Sequence, residues 1–193
     1  MRNSDTNQNS GIMKTNPLIG LIGTWKGDKG TDLAPKPEED ENNPYYETLV
    51  VEAIDMEISN AEEQELTAVR YHQTVFEKET DEMSHSETGF WIWDNISDTI
   101  MCAFSIPRGV SLLAGGTYEK TTGGETTIQV SSKLDDPDWG IVQSPFMRAK
   151  AKTLAFKREL KLSGNTLSYT QETTVEIYGK IFAHSDTNSL TKV

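Results

Sequence analysis

Along most of the chain, polar and apolar positions alternate with a period of two rather than 3.6, the spacing of strands rather than helices. Residues 47–54 are β-branched and bounded by turn-forming residues. Residues 66–76 alternate and are rich in Thr, Val and aromatics. Residues 88–93 form a further strand, and Asp94-Asn95 predicts the turn from which residues 99–105 pair back as a hairpin. Residues 109–119 carry Gly115-Gly116, which predicts a bulge or bend. Residues 126–132, 153–162 and 166–178 complete the set, with Ser163-Gly164-Asn165 as a tight turn between the last two. The one stretch with helical character, residues 61–66, is too short to organise a domain.

The beginning of the chain has a different texture. Residues 1–16 are rich in Asn, Ser and Thr and have little to bury, so they read as a flexible tail ahead of one domain over residues 17–193. Residues 18–30 are apolar and glycine-punctuated, the pattern of a first strand bending at Gly23 and Gly27. Residues 32–44 hold Pro35, Pro37 and Pro44 among acids and predict a long exposed loop. With 22 Thr residues and short strands recurring at turn-like intervals, the fold class is all-β, a barrel or a sandwich. Short connections favour a single antiparallel up-and-down β-barrel, because closure removes the edges that invite aggregation. Such a barrel leaves room for a small ligand.

Charge narrows the partners. The 193 residues carry 30 acids against 18 Lys and Arg, a formal net charge of −12, which disfavours binding to nucleic acid or an anionic membrane surface. There is no apolar run long enough to span a bilayer and no apolar leader core near the start. The single cysteine, Cys102, has no internal disulfide partner, and a cytoplasmic location is expected. The acidic run over residues 38–65 lacks calcium-loop spacing and reads as a solvated face. The basic stretch over residues 148–161 reads either as an anion site or as a strand face paired with acids. Alternation scatters its residues over both faces.

Candidate chemistry is sparse. His72, His85 and His184 show no zinc-site spacing, and no phosphate-loop, dinucleotide or serine-nucleophile motif occurs. Cys102 reads as a small hydrophobe in a strand. His72 reads as an outward-facing polar position.

One set of segments is distinctive. Gly23-Thr24-Trp25-Lys26-Gly27 stands near the start, His85-Ser86-Glu87-Thr88-Gly89-Phe90 in the middle, and Gly116-Thr117-Tyr118 follows. Leu167-Ser168-Tyr169 opens the penultimate strand, and His184 precedes Leu190 at the end. In order and spacing this set resembles the nitrobindin family of heme-binding, fatty-acid-binding-protein-like barrels. The resemblance implies a ten-stranded antiparallel barrel, lipocalin-like in shape, that binds heme b. It implies His184 as the axial ligand of a five-coordinate ferric iron. Thr24, Trp25, His85, Phe104 and Lys150 would line the heme pocket, and Asp186 would orient the ligand ring. No catalytic side chain beyond the heme iron is implied. Nitric oxide is the implied ligand, isomerisation of peroxynitrite to nitrate the implied activity, and a monomer or homodimer the implied state.

Three departures from the family pattern stand out. The third glycine of the first motif falls at Gly30, with Lys29 in the place expected for it. Residues 106–108 lengthen one connection, and the segment before His184 lacks a Pro-His pair. The alternative reading is an intracellular carrier of a fatty acid or other small lipophile, without heme. Its carboxylate anchor would be Arg108, Lys150 or Lys152. A third reading is a barrel with a filled interior that serves as an interaction scaffold.

Overall fold

A computed structural model describes residues 16–38, 40–55, 58–60 and 63–193. Almost all of the predicted tail, residues 1–15, lies outside the described residues. Twelve strands run β1 (Gly23–Ala34), β2 (Glu41–Ala53), β3 (Ile58–Asn60), β4 (Gln64–Glu77), β5 (Met83–Asp94), β6 (Thr99–Ile106), β7 (Val110–Lys120), β8 (Thr126–Lys133), β9 (Ile141–Gln143), β10 (Ala151–Ser163), β11 (Thr166–Ile177) and β12 (Lys180–Lys192). Ten of them pair antiparallel in the order β2-β1-β12-β11-β10-β8-β7-β6-β5-β4, and β4 pairs with β2 to close the barrel. The short β3 and β9 add to β4 and β7 outside that circuit. Among the described residues, no helix is long and apolar enough to cross a membrane.

The barrel has two unlike ends. At one, a 3-10 turn (Ile19–Leu21) caps the lumen. Leu18 and Leu21 are buried there with Trp25, Ile100, Leu167 and Leu190. The Trp25 indole Nε1 donates to the Leu21 carbonyl at 2.7 Å, which ties the turn to the first strand. At the other end, the mouth, β9 leads into a six-residue helix, α1 (Pro145–Lys150). Its start is fixed by the Ser144 hydroxyl, which accepts from the Met147 amide, and by a proline that has no amide hydrogen to lose.

Gly116 and Gly30 are among the glycines required by contact. A Cβ on Gly116 would lie 1.9 Å from the Gln129 carbonyl oxygen, so β7 and β8 can approach only without one. A Cβ on Gly30 would lie 2.1 Å from the ring of the buried Tyr45. Gly30 belongs to a bulge: the β1–β2 register shifts between Gly27 and Gly30, and the β1–β12 register between Lys26 and Thr31. A one-residue shift reverses which side chains face inward. The lumen therefore receives Trp25 before the bulge and Asp32 after it.

The sequence reading needs correction in several places. Residues 32–44 are not one long loop, because β1 runs to Ala34 and β2 begins at Glu41. The helical reading of residues 61–66 gives way to β4 from Gln64 onward, while residues 61 and 62 lie outside the described residues. Residues 180–192 form a full strand, β12, the final strand that the resemblance implied and that no alternation of polar and apolar positions marks. The tight turn at Ser163-Gly164-Asn165 is present, with Gly164 in the left-handed region at φ 56°.

Candidate functional site at the barrel mouth

Between the apolar plug and the mouth, the lumen is polar. Glu87 on β5 and Arg158 on β10 meet inside the barrel, with guanidinium nitrogens 2.8 and 3.0 Å from the two carboxylate oxygens. Both side chains are buried. The Tyr71 hydroxyl also donates to Glu87. The guanidinium carbon lies 5.1 Å from the centre of the Phe104 ring and 5.2 Å from that of Phe156. Burial alone would raise the Glu87 pKa. The charge of Arg158 and the hydrogen bonds around the carboxylate outweigh it and hold the group at about 2. Burial pushes the neighbouring Cys102 thiol up to about 12, so Cys102 is an inert wall residue.

A second cluster adjoins this pair. The Asn188 amide donates to Glu47 at 2.7 Å, Gln73 donates to the other Glu47 oxygen, and the Tyr45 and Tyr169 hydroxyls meet at 2.6 Å. Burial raises the Glu47 pKa despite those donors.

From Arg158 a polar chain climbs to the mouth. The guanidinium Nε donates to Gln171 Oε1 at 2.7 Å, and Gln171 Nε2 donates to Asp186 Oδ2 at 3.3 Å. His184 Nε2 lies 3.9 Å from that same carboxylate oxygen and is hydrogen-bonded to Asp32. Burial disfavours the charged imidazole, but the Asp32 hydrogen bond and the charges of Asp186 and Asp32 prevail, and the His184 pKa is raised. Burial raises the Asp186 pKa, against the opposing effect of His184. One register step closer to the rim, the cross-strand partners Val175 and Phe182 share the inward face of Thr173 and His184.

The predicted site residues divide into two groups. His184 faces the lumen near the mouth and is half-buried. His85 lies at the same end, 3.6 Å from Glu87. Phe104 lines the lumen against Arg158, and Lys150 is exposed at the end of α1. Thr24 and Trp25 are elsewhere. Trp25 pairs with Lys192 and His184 with Thr173, so the two lie eight positions apart along β12, about 25 Å at strand rise. Strand β1 starts at the plugged end, and its indole is spent on the plug. The partner of His184 Nε2 is Asp32, with Asp186 farther away.

Sequence reasoning missed Glu87, Arg158, Gln171 and Asp32 as lumen residues. Glu87 stands inside the His85–Phe90 motif, and Arg158 is the one inward-facing cation of the basic stretch. Among the described residues, three other cations of that stretch pair outside the acidic run, Lys161 with Glu159 and two with β11. Lys152 and Lys157 bind Glu176 and Glu172 on β11. His72 is exposed on the outer face of β4. A groove of about 640 Å³ also lies on the outer wall, bordered by Thr117, Gln129, Ser131, Lys157 and Thr170.

Comparison with known proteins agrees with this architecture. The family model of the THAP4-like, heme-binding beta-barrel domain matches residues 14–192. No curated protein matches. Among solved structures, that of Rv2717c from M. tuberculosis superposes with a TM-score of 0.71 at 18% identity, covering 93% of this chain and 98% of that one.

Proposed function

From the premise that the chain belongs to the THAP4-like heme-binding β-barrel domains, as its likeness to the nitrobindin family implied, we propose that it holds heme b at the mouth through His184. The observation that carries this reading is the placement of His184: inward-facing, half-buried, and at the unplugged end of the lumen.

The surrounding residues fit the group. Val175 and Phe182 offer apolar surface beside the imidazole, and Phe104 and Phe156 offer more across the lumen. Lys150 and Arg108 supply cations for propionates near the same rim. His184 would hold the iron through the lone pair of a ring nitrogen: binding at Nε2 would displace Asp32, whereas binding at Nδ1 would leave Asp32 to hold the Nε2 hydrogen. Heme held there by His184 would supply a site for nitric oxide and the chemistry to isomerise peroxynitrite to nitrate.

The chain's own part is binding and exclusion. The Leu18–Leu21–Trp25 plug closes the far end to water. The Glu87–Arg158 pair sets a fixed, fully hydrogen-bonded floor beneath the site. His85, 3.6 Å from Glu87, borders that floor on β5. The lipophile reading named Arg108, Lys150 or Lys152 as its carboxylate anchor; Lys152 already pairs with Glu176, and the interior guanidinium of Arg158 serves Glu87 and Gln171.

A hemin titration followed by Soret absorption tests the proposal. Wild-type protein should give a saturable one-to-one spectrum of histidine-ligated ferric heme, and His184→Ala should lose it. A spectrum that survives unchanged in His184→Ala overturns the ligand assignment.

A further inference from the structure

Asp32 and Asp186 are direct register partners on β1 and β12. Both face the lumen, and His184 stands two residues from Asp186 on the same face. One ligand atom from each of the three lies within 4.8 Å of the other two. We propose that this group binds a divalent transition-metal ion, with Zn2+ favoured by the donor set, whenever His184 is not engaged by heme. The inference rests on the same histidine as the heme reading and adds a second, competing occupant.

Three observations lead there. The first is electrostatic. Two like-charged side chains placed directly opposite across a sheet repel each other, and here they are also partly removed from water. One imidazole cannot neutralise two carboxylates. The hydrogen bonds and ion pairs of Asp32 and Asp186 among the described residues run to His184 and to the uncharged Gln171. A divalent cation would balance the pair.

The second observation is geometric. Donors around a four-coordinate zinc ion with bonds of about 2.1 Å stand about 3.4 Å apart. Asp32 and His184 are closer than that, and His184 and Asp186, at 3.9 Å, slightly farther. An ion replacing the shared hydrogen between His184 Nε2 and Asp32 would open the first spacing, and a small side-chain rotation would close the second. Three protein ligands leave a position for water at the half-exposed mouth. An imidazole nitrogen with two carboxylates suits Zn2+ better than Ca2+ or Mg2+, which prefer all-oxygen shells.

The third observation is how Asp32 comes to be there. Without the one-residue shift in β1 between Gly27 and Gly30, the alternation that puts Trp25 in the lumen would turn Asp32 outward. The bulge brings a second carboxylate to the only histidine of β12. Gln171 holds Asp186 from behind while its other end is fixed by Arg158, so one ligand is braced by the buried network.

The experiment is an isothermal titration of metal-free, heme-free protein with ZnCl2, in parallel with Asp32→Asn, Asp186→Asn and His184→Ala. Far-UV circular dichroism confirms that each variant is folded. The expected result is one saturable site in the wild type, weakened at least 10-fold in each variant. Hemin uptake by the wild type should slow when one equivalent of Zn2+ is present. The absence of saturable binding overturns the proposal, as does wild-type affinity in Asp32→Asn and Asp186→Asn. Zinc binding without a hemin spectrum would sink the heme reading alone. A hemin spectrum without zinc binding would sink this inference alone.

Discussion

Glu87 and Arg158 form a two-pronged ion pair across the lumen from strands that are not neighbours. β6, β7 and β8 lie between β5 and β10 in the sheet, yet the side chains meet at 2.8 and 3.0 Å. The pair spans the barrel from wall to wall and divides the apolar plug from the mouth. Its donors and acceptors are also shared with Tyr71 and Gln171.

Removing one partner strands the other charge in a buried site. Glu87→Gln and Arg158→Met should each cost about 3–5 kcal/mol of unfolding free energy. The double variant Glu87→Gln/Arg158→Met removes both charges and should cost much less than the sum of the single changes. Urea unfolding of the four proteins measures the coupling. Additive losses would show that the pair does not act as a unit.

The same pair sets a pH dependence. The Glu87 carboxyl is held at about 2 in the folded chain, below its ordinary value of 4.5. A depressed acid stabilises the fold above its unfolded pKa, and that contribution is lost as pH falls from about 4.5 through about 2. The facing groups are Tyr71 on β4, Arg158 on β10, Cys102 on β6 and His85 on β5. Tyr71, Arg158 and Cys102 are all shifted upward and do not titrate in this window. Wild-type stability should therefore fall more steeply between pH 4.5 and 2 than that of Glu87→Gln, by about 3 kcal/mol across the window. Parallel denaturation curves at several pH values read the difference, and equal slopes would refute it.

Gly30 can be tested through Tyr45. An added Cβ would meet the ring itself, which is buried and hydrogen-bonded to Tyr169, so the ring cannot swing away cheaply. Gly30→Ala should cost about 1–3 kcal/mol. In a Tyr45→Ala background the ring is gone and the added cost should largely vanish. Thermal or urea unfolding of the four-member cycle gives the answer. A Gly30→Ala cost unchanged without the ring would place the strain in the backbone instead.

The barrel was legible in the sequence where one face of each strand is apolar. Residues 66–76 and 99–105 alternate because Val69, Tyr71 and Val75, and Ile100, Cys102 and Phe104, turn into the core. The C-terminal strand was not legible for the opposite reason. Its inward positions near the mouth are His184, Asp186 and Asn188, and its outward positions are Ser185, Thr187 and Ser189, so both faces are polar and no period shows. The C-terminal half of β1 is hidden in the same way, and its bulge shifts the phase as well. The Lys29-Gly30 displacement was visible as a departure from the family motif, but its effect on the facing of Asp32 appears only once β1 is paired with β2 and β12. Glu87 and Arg158 sit in alternating strands as ordinary charged residues. That they oppose each other depends on barrel closure, which no local pattern encodes.

Trp25 separates the plug from the mouth. The motif that contains it drew it toward the heme, whereas the structure seats it at the closed end with no exposed surface. Its indole donates to the Leu21 carbonyl at 2.7 Å and lies under the Lys192 ammonium, 5.1 Å from the ring centre. Trp25→Phe keeps an aromatic ring but leaves that carbonyl without its donor, at a cost of about 1–3 kcal/mol. The 3-10 turn at residues 19–21 should loosen, and amide exchange there should quicken relative to the rest of the barrel. The Soret band of the hemin complex should keep its wild-type position, because eight strand positions lie between this residue and His184. A shifted Soret band with unchanged stability would return Trp25 to the heme pocket and move the binding site toward the plugged end.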